Sequence, residues 1–320
     1  MKKLHGLFLI GVVVVSFMSC TKFKGDQEIP AYMCIKSWDF ATDYTREGAA
    51  TEAITDAWIY VDGNVHGCYE IRPKFSVVED PITHETDTVF DESVTFPVLS
   101  KGKHDVILYP GVKLNGIAST RIQYPFYKPF KINDYEFVPG KIDTISPSTE
   151  YYDVDEGFFR FRLMEDFESP QLKFTKTNNS DTTIVKVSRF TDPNAWTGDL
   201  AHSVYSGHVW LGDSTRYFCV ATDPIYGLPN QGNYILLEID YKCDVEFEIG
   251  LFAKTQNGIE TFEILYLKPA SEWKKCYVNI GPTVTNNQNA SYFKLFLAGS
   301  ILDGETADFY FDNIKLIYRD

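Results

Sequence analysis

The chain has 320 residues, 44 % of them apolar and 15 % aromatic, and a formal net charge of −14. That acidic balance excludes nucleic acid and anionic lipid as principal partners, because both are gripped through basic patches. About 300 residues follow a leader-like segment, which is more than one ordinary domain, so two are expected.

Lys2 and Lys3 open the chain and the apolar run 7–17 follows. Roughly eleven apolar residues suit a secretory signal and fall short of the ~20 needed to cross a bilayer. The run ends at Phe17-Met18-Ser19-Cys20. This resembles the bacterial lipobox, with a bulky apolar residue at −3 and a small one at −1. The resemblance implies a lipoprotein signal peptide over 1–19 and diacylglycerol on the Cys20 sulfur. It also implies an acyl chain, such as palmitate, on the new amine. Each buried CH₂ contributes about 0.8 kcal/mol, so two or three chains hold a protein on a membrane almost permanently. Residues 20–29 then form a polar lipidated tether that spans at most about 30 Å.

With Cys20 lipidated, Cys34, Cys68, Cys219, Cys243 and Cys276 remain. An odd number leaves at least one thiol unpaired within the chain, and none has CxxC spacing. Buried free thiols are expected, with one bridge compatible with an oxidising envelope.

Downstream, helical periodicity is almost absent and short alternating segments with turn signals dominate, so the fold class is all-β. In the first region, residues 30–139, Ala57-Trp58-Ile59-Tyr60-Val61 reads as a strand and Asp62-Gly63 as a hairpin turn. Residues 79–91 are acidic and read as a solvated loop or protruding hairpin. About 110 residues of such strands suit an immunoglobulin-like or transthyretin-like sandwich. The stretch Gly102-Lys103-His104-Asp105-Val106-Ile107-Leu108 also resembles small sandwich modules of bacterial surface proteins. Pro, Gly and acidic residues cluster over 140–157, which reads as a linker.

The second region, 158–320, has eight to ten strand-like segments, which suits a jelly-roll β-sandwich. Val245, Phe247, Ile249 and Leu251 alternate with Asp244, Glu246 and Glu248, and Asn257-Gly258 turns the chain into a hairpin. Glu238 and Asp240 share one face of a strand, as do Glu246 and Glu248; alternation makes all four solvent-facing.

Near the start of this region stands Glu165-Asp166-Phe167-Glu168, and at its end Phe309-Tyr310-Phe311-Asp312-Asn313-Ile314-Lys315-Leu316. Between them lies Ser271-Glu272-Trp273-Lys274-Lys275-Cys276-Tyr277. Together these resemble the opening, middle and closing strands of jelly-roll carbohydrate-binding modules. The whole chain resembles two-domain outer-membrane lipoproteins of the Bacteroidota. The resemblance implies a structural Ca²⁺ beside the first and last strands, with Glu168 and Asp312 as ligands, and oxygen ligation suits that ion. It also implies a glycan ligand. Trp196, Tyr205, Trp210 and Tyr226 lie in the turn-rich stretch 192–229 and are the candidate sugar-stacking residues.

No HExxH, GxSxG or phosphate loop occurs. His202 and His208 flank Ser203 and Ser206 without a metal spacing. A glycoside hydrolase needs two carboxylates at a set separation, and an acidic chain always offers some pair. The expectation is therefore a non-enzymatic, lipid-anchored protein of the outer membrane, facing the periplasm or the cell surface. It binds polysaccharide or, alternatively, serves as an interaction subunit or adhesin for an envelope protein partner. Asp87-Thr88, Asp143-Thr144, Asp181-Thr182 and Asp213-Ser214 resemble the O-glycosylation motif of the Bacteroidota.

Overall fold

The structure is a computed structural model that describes residues 29–79, 86–153 and 159–319; the side chains of 73–79 and 86–90 are not described. The apolar run, Cys20 and nearly all of the tether lie outside the described residues. No helix among the described residues is long and apolar enough to cross a membrane.

The first region contains β1 (Ala31–Lys36), β2 (Asp39–Ala41), β3 (Asp56–Val61), β4 (Asn64–Glu70), β5 (Arg72–Glu79) and β6 (Thr86–Val98). Then come β7 (Gly102–Lys113), β8 (Arg121–Gln123), β9 (Phe130–Phe137), β10 (Ile142–Ile145) and β11 (Ser148–Glu150). One sheet runs β10-β1-β6-β5, and a second runs β4-β3-β7-β8 with β9 also on β7. Met33, Ile35, Phe96, Ile59, Val106 and Leu108 form the core between them. Asp62 and Gly63 join β3 to β4 with φ of 49° and 75°, the left-handed pair a type I′ turn requires. Of the acidic stretch 79–91, Glu79 ends β5 and residues 86–91 belong to β6, its antiparallel partner, while 80–85 lie outside the described residues. The 140–157 linker reading needs correction. Residues 142–145 and 148–150 are strands, β10 parallel to β1 and β11 parallel to β2. Pro and Gly there punctuate short strands rather than separate two bodies.

The second region contains β12 (Arg160–Glu165), β13 (Phe174–Lys176), β14 (Val185–Ser188), β15 (Tyr205–Leu211), β16 (Tyr217–Thr222) and β17 (Ile235–Cys243). It ends with β18 (Phe247–Thr255), β19 (Gly258–Leu267), β20 (Ala270–Asn279), β21 (Tyr292–Ser300) and β22 (Ala307–Tyr318). A back sheet runs β14-β15-β22-β17-β20 and a front sheet β13-β16-β21-β18-β19. Counted from β15 as first to β22 as eighth, the orders are 1-8-3-6 and 2-7-4-5. That is the double Greek key of a jelly roll. Val209, Leu237, Ile249, Leu251, Leu297 and Phe311 fill the space between the sheets. The five remaining cysteines are all free thiols.

The two sandwiches share a buried seam on the outer face of the back sheet. Leu236, Tyr277 and Ile317 belong to its strands yet pack into the core of the first sandwich. Glu238 is 0 % exposed and accepts hydrogen bonds from the Tyr124 hydroxyl, the Tyr151 hydroxyl at 2.9 Å and Lys275 Nζ at 2.8 Å. Lys275 also donates to Thr51 Oγ1 at 2.8 Å and lies 3.9 Å from Asp240. Asn313 Nδ2 donates to Asp240 at 2.8 Å, and Lys315 Nζ donates to the Ala49 carbonyl at 3.0 Å. Tyr277 Oη accepts from Ala53 N at 3.0 Å and lies 3.1 Å from the Tyr127 hydroxyl. The expectation that Glu238 and Asp240 face solvent is thus corrected. Alternation turns them away from their own core, and the other sandwich covers them.

Burial opposes charge on every member, but the pairings decide the outcome. Burial alone would raise the Glu238 carboxyl, yet Lys275, Lys315 and the hydrogen bonds from Lys275 and Tyr124 hold it below its usual range. Burial alone would lower the Lys275 ammonium, yet Glu238 and Asp240 raise it. Burial and the neighbouring Lys275 charge push Lys315 down to about 8. Removing one partner of a buried pair strands the other and costs ~3–5 kcal/mol, whereas an apolar replacement of both is close to neutral. Lys275→Met should therefore lose about 3–5 kcal/mol in urea unfolding, and adding Glu238→Leu should recover much of it. A loss below about 1 kcal/mol for Lys275→Met would show that the pair is solvated.

Candidate functional site

The resemblance-derived residues do not converge. Trp196 is 8 % exposed and is a packing residue rather than a ligand contact. Its backbone N–H donates to Ser206 Oγ at 2.9 Å, and its ring lies against Gly198. Its loop is a cover for the back sheet rather than the mouth of a site. Trp273 Nε1 donates to the Asn194 carbonyl, Lys242 Nζ donates to the Asn194 side chain, and the Tyr310 hydroxyl donates to Asp192. Tyr205 and Trp210 are 37 % and 41 % exposed and stand on β15 of that same back sheet. The Tyr205 ring is already faced by Lys186 Nζ at 4.2 Å from its centroid. Tyr226 is 57 % exposed and packs edge-on against Tyr292 at 5.5 Å.

Glu168 and Asp312 both serve the start of β15. Glu168 Oε1 accepts from Val204 N at 2.7 Å and Tyr205 N at 2.8 Å. Asp312 is fully buried and accepts from Ser206 Oγ and Asn313 N, each at 2.8 Å. Burial raises its carboxyl well above the usual range. Among the described residues, no group of three or more His, Cys, Asp and Glu side chains is arranged to hold a metal ion.

The open concavity lies on the other side of the jelly roll, over the outer face of the front sheet. It is a groove of about 590 Å³, within the usual range of small-ligand sites. Strand register builds it in rows. Phe252 stands between Thr261 and Lys294, Gly250 between Glu263 and Phe296, and Glu248 between Tyr266 and Ala298. Cys219 and Ala221 of β16 continue the floor beyond β21. Phe252 and Phe296 stack at 4.5 Å with their planes 24° apart. Gly250 makes this possible: a Cβ there would lie 2.3 Å from the Phe296 ring and 2.5 Å from the Phe262 carbonyl oxygen. A glycine inside a strand commonly marks such a close approach.

One wall of the groove is the segment 175–179, braced from behind by residues 180 and 181. Thr177 N donates to the Cys219 carbonyl at 3.0 Å and Cys219 N to Ser180 Oγ at 2.8 Å. Asp181 accepts from Arg216 N and Tyr217 N at 2.8 and 2.9 Å, which hold its carboxyl below the usual range. Asn178, Asn179 and Lys176 present polar groups from this wall. Lys294 adds a cation to the floor, and Tyr292 extends the aromatic surface toward Tyr226.

The acidic corner has a distinct chemistry. The Tyr266 hydroxyl lies 3.2 Å from Glu248 Oε2 and 3.2 Å from Glu263 Oε2. Glu248 Oε1 is shielded from solvent and has no hydrogen-bond partner in the protein. Burial and the Glu263 charge raise the Glu248 carboxyl. Burial and the same carboxylates push Tyr266 up to about 12. The groove therefore pairs an apolar, aromatic floor with an acceptor that lacks a donor. Its sequence signal is a lapse of alternation, since Phe252 follows Leu251 and Phe296 lies between Leu295 and Leu297.

No protein-family model and no curated protein matches this chain. Solved structures with a related arrangement include a carbohydrate-binding module in complex with β-1,4-galactotriose. It is 16 % identical, the match covers 50 % of this chain and 99 % of the module, and the TM-score is 0.31. A family 11 carbohydrate-binding module from Clostridium thermocellum, in complex with a β-1,3-1,4-mixed-linked tetrasaccharide, is 15 % identical. That match covers 48 % of this chain and 93 % of the module, at a TM-score of 0.32. The adhesin domain K2 of Lys-gingipain is 8 % identical over 48 % of this chain and 96 % of that domain, at 0.34. At these scores the likeness fixes neither family nor ligand, and the jelly roll rests on the strand order itself.

Proposed function

We propose that this chain is a non-catalytic glycan-binding protein whose ligand lies in the front-sheet groove. The observation that carries this reading is the front-sheet groove, where the half-buried Phe252 ring, stacked on the buried Phe296, is framed by polar groups of both hydrogen-bonding senses. A saccharide ring offers an apolar face for such a floor and hydroxyls for the frame. A charged protein group bonded to a neutral hydroxyl contributes ~1.5–3 kcal/mol, enough to set orientation. A glycosidase would need an acid and a second carboxylate flanking the scissile bond. Glu248 and Glu263 instead stand side by side on one hydroxyl, an arrangement suited to holding a ligand.

The first sandwich, in this reading, positions the groove. It covers the back sheet and leaves the front sheet open. The lipid on Cys20 would hold the pair at the outer membrane, so that a bound polysaccharide is kept close to the envelope.

Two measurements test this. On a panel of neutral and acidic oligosaccharides, at least one should bind, and calorimetry should show Phe252→Ala weakening it about tenfold or more, equivalent to ~1.4 kcal/mol. Trp210→Ala, on the opposite sheet, should leave affinity unchanged; the reverse pattern would place the ligand on the back sheet. Separately, Cys20→Ala should move the protein from the membrane to the soluble fraction of its native host. Retention on the membrane would remove the lipid anchor from the account.

A further inference from the structure

We infer that the groove selects an anionic saccharide, whose carboxylate or sulfate group is held by Lys254 and Lys294 while its ring lies on Phe252. This rests on the groove being the ligand site and adds the charge class of that ligand.

Strand register sets these side chains in a checkerboard. Phe252 of β18 stands opposite Lys294 of β21, and Lys254 stands opposite Tyr292. Residues two apart on a strand share a face, so Lys254 projects on the same side as Phe252, which lines the groove with Lys294 and Tyr292. Lys254 and Lys294 are thus diagonal neighbours, about 7–8 Å apart. Thr261 and Ile259 complete the two rows on β19 and bring no charge.

Both lysines are half-buried, and among the described residues neither side chain makes an ion pair or a hydrogen bond. Carboxylates are not scarce in this chain, which has 44 Asp and Glu against 30 Lys and Arg. Lys113 and Lys275 each hold one, at 2.7 and 2.8 Å. The groove's own carboxylates, Glu248 and Glu263, gather instead on the Tyr266 hydroxyl. Glu263 stands two strands and one row away from Lys294, about 12 Å by sheet spacing. An ammonium partly withdrawn from water and left without a counter-ion gains from an anion that reaches it, through a charge-assisted hydrogen bond.

The rings beside the lysines decide what carries the anion. Neighbouring strands lie about 4.8 Å apart, so a sugar ring resting on Phe252 brings its exocyclic group to the Lys294 row. A small inorganic anion would leave Phe252 and Tyr292 unused. The same saccharide meets the acidic corner through neutral hydroxyls. The net charge of −14 opposes an anion at long range, where salt screens it beyond about 8 Å, whereas the two ammonium groups act at contact. Nucleic acid stays excluded, since it demands a far larger basic patch.

Calorimetry on the full chain tests this with matched pairs of ligands. Uronate oligosaccharides are compared with the same oligosaccharides reduced at their carboxylates, and sulfated ones with their desulfated forms. The tightest ligand should be anionic and should bind about tenfold or more tightly than its neutral counterpart, as one charge-assisted bond supplies. A uronate in the lead identifies the anionic group as a carboxylate, and a sulfated member identifies it as a sulfate. Lys254→Gln combined with Lys294→Gln should bind the two forms alike, whereas Lys254→Arg combined with Lys294→Arg should keep the preference. Phe252→Ala should weaken both forms. Equal binding of anionic and neutral forms by wild type, or a preference that survives the double Gln variant, would overturn the charge class, while the groove reading stands on the Phe252→Ala loss. No binding by any panel member would overturn both.

Discussion

The buried contact between Glu238 and Lys275 settles which surfaces of the molecule remain free. Both charges sit on the outer face of the back sheet, where a lone jelly roll would meet water. Tyr124 and Tyr151 reach across from the first sandwich to complete the Glu238 acceptor set, and Lys315 pins the Ala49 carbonyl. Breaking such a set leaves a charge in a low-dielectric interior, so the two sandwiches hold a fixed relation. The loop around Trp196 covers much of what remains of that sheet. Of the jelly roll's two broad faces, the front one is left open.

That division explains why the groove has its composition. Residues on the outside of a sheet are ordinarily polar. Here Cys219, Ala221, Phe296 and Ala298 face outward and are nevertheless buried, because the Phe252 and Tyr217 rings lie beside them. Gly250 gives the space that lets Phe296 lie flat. The half-buried rings that cover them, Phe252 and Tyr217, are the aromatic surface that the groove presents. The acidic corner at its end has the opposite character, with more acceptors than donors. The proposed glycan reading rests on this pairing of an aromatic surface with an acidic corner.

Much of the fold was legible, because local chemistry decides it. Asp62-Gly63 and Asn257-Gly258 each sit where a hairpin turns. Phe247, Ile249 and Leu251 face the core, and the second region does fold into two sheets, with eleven strands where eight to ten were expected. The site was less legible, for a physical reason. Alternation tells which side of a strand a residue occupies, but not what covers that side. Glu238, Asp240 and Glu248 all point away from their core; the first two meet another sandwich, and the third meets a groove. Leu236 was a visible sign of the cover, since it is apolar on the same side as Glu238. Trp and exposed Tyr in a turn-rich stretch are the sequence's most visible candidates for sugar contacts, and the proposed groove does not use Trp196. Its loop packs that aromatic inward, while the aromatic floor is made of Phe within regular strands.

The central claim is that ligand occupies the front sheet while the back sheet is closed by the first sandwich. Backbone amide chemical-shift mapping with the tightest-binding oligosaccharide tests it most directly. The account predicts perturbations concentrated on Glu248 to Phe252, Thr261 to Tyr266 and Tyr292 to Ala298, with Tyr205 to Leu211 silent. Perturbations centred on Tyr205 and Trp210, with the front sheet silent, would contradict it.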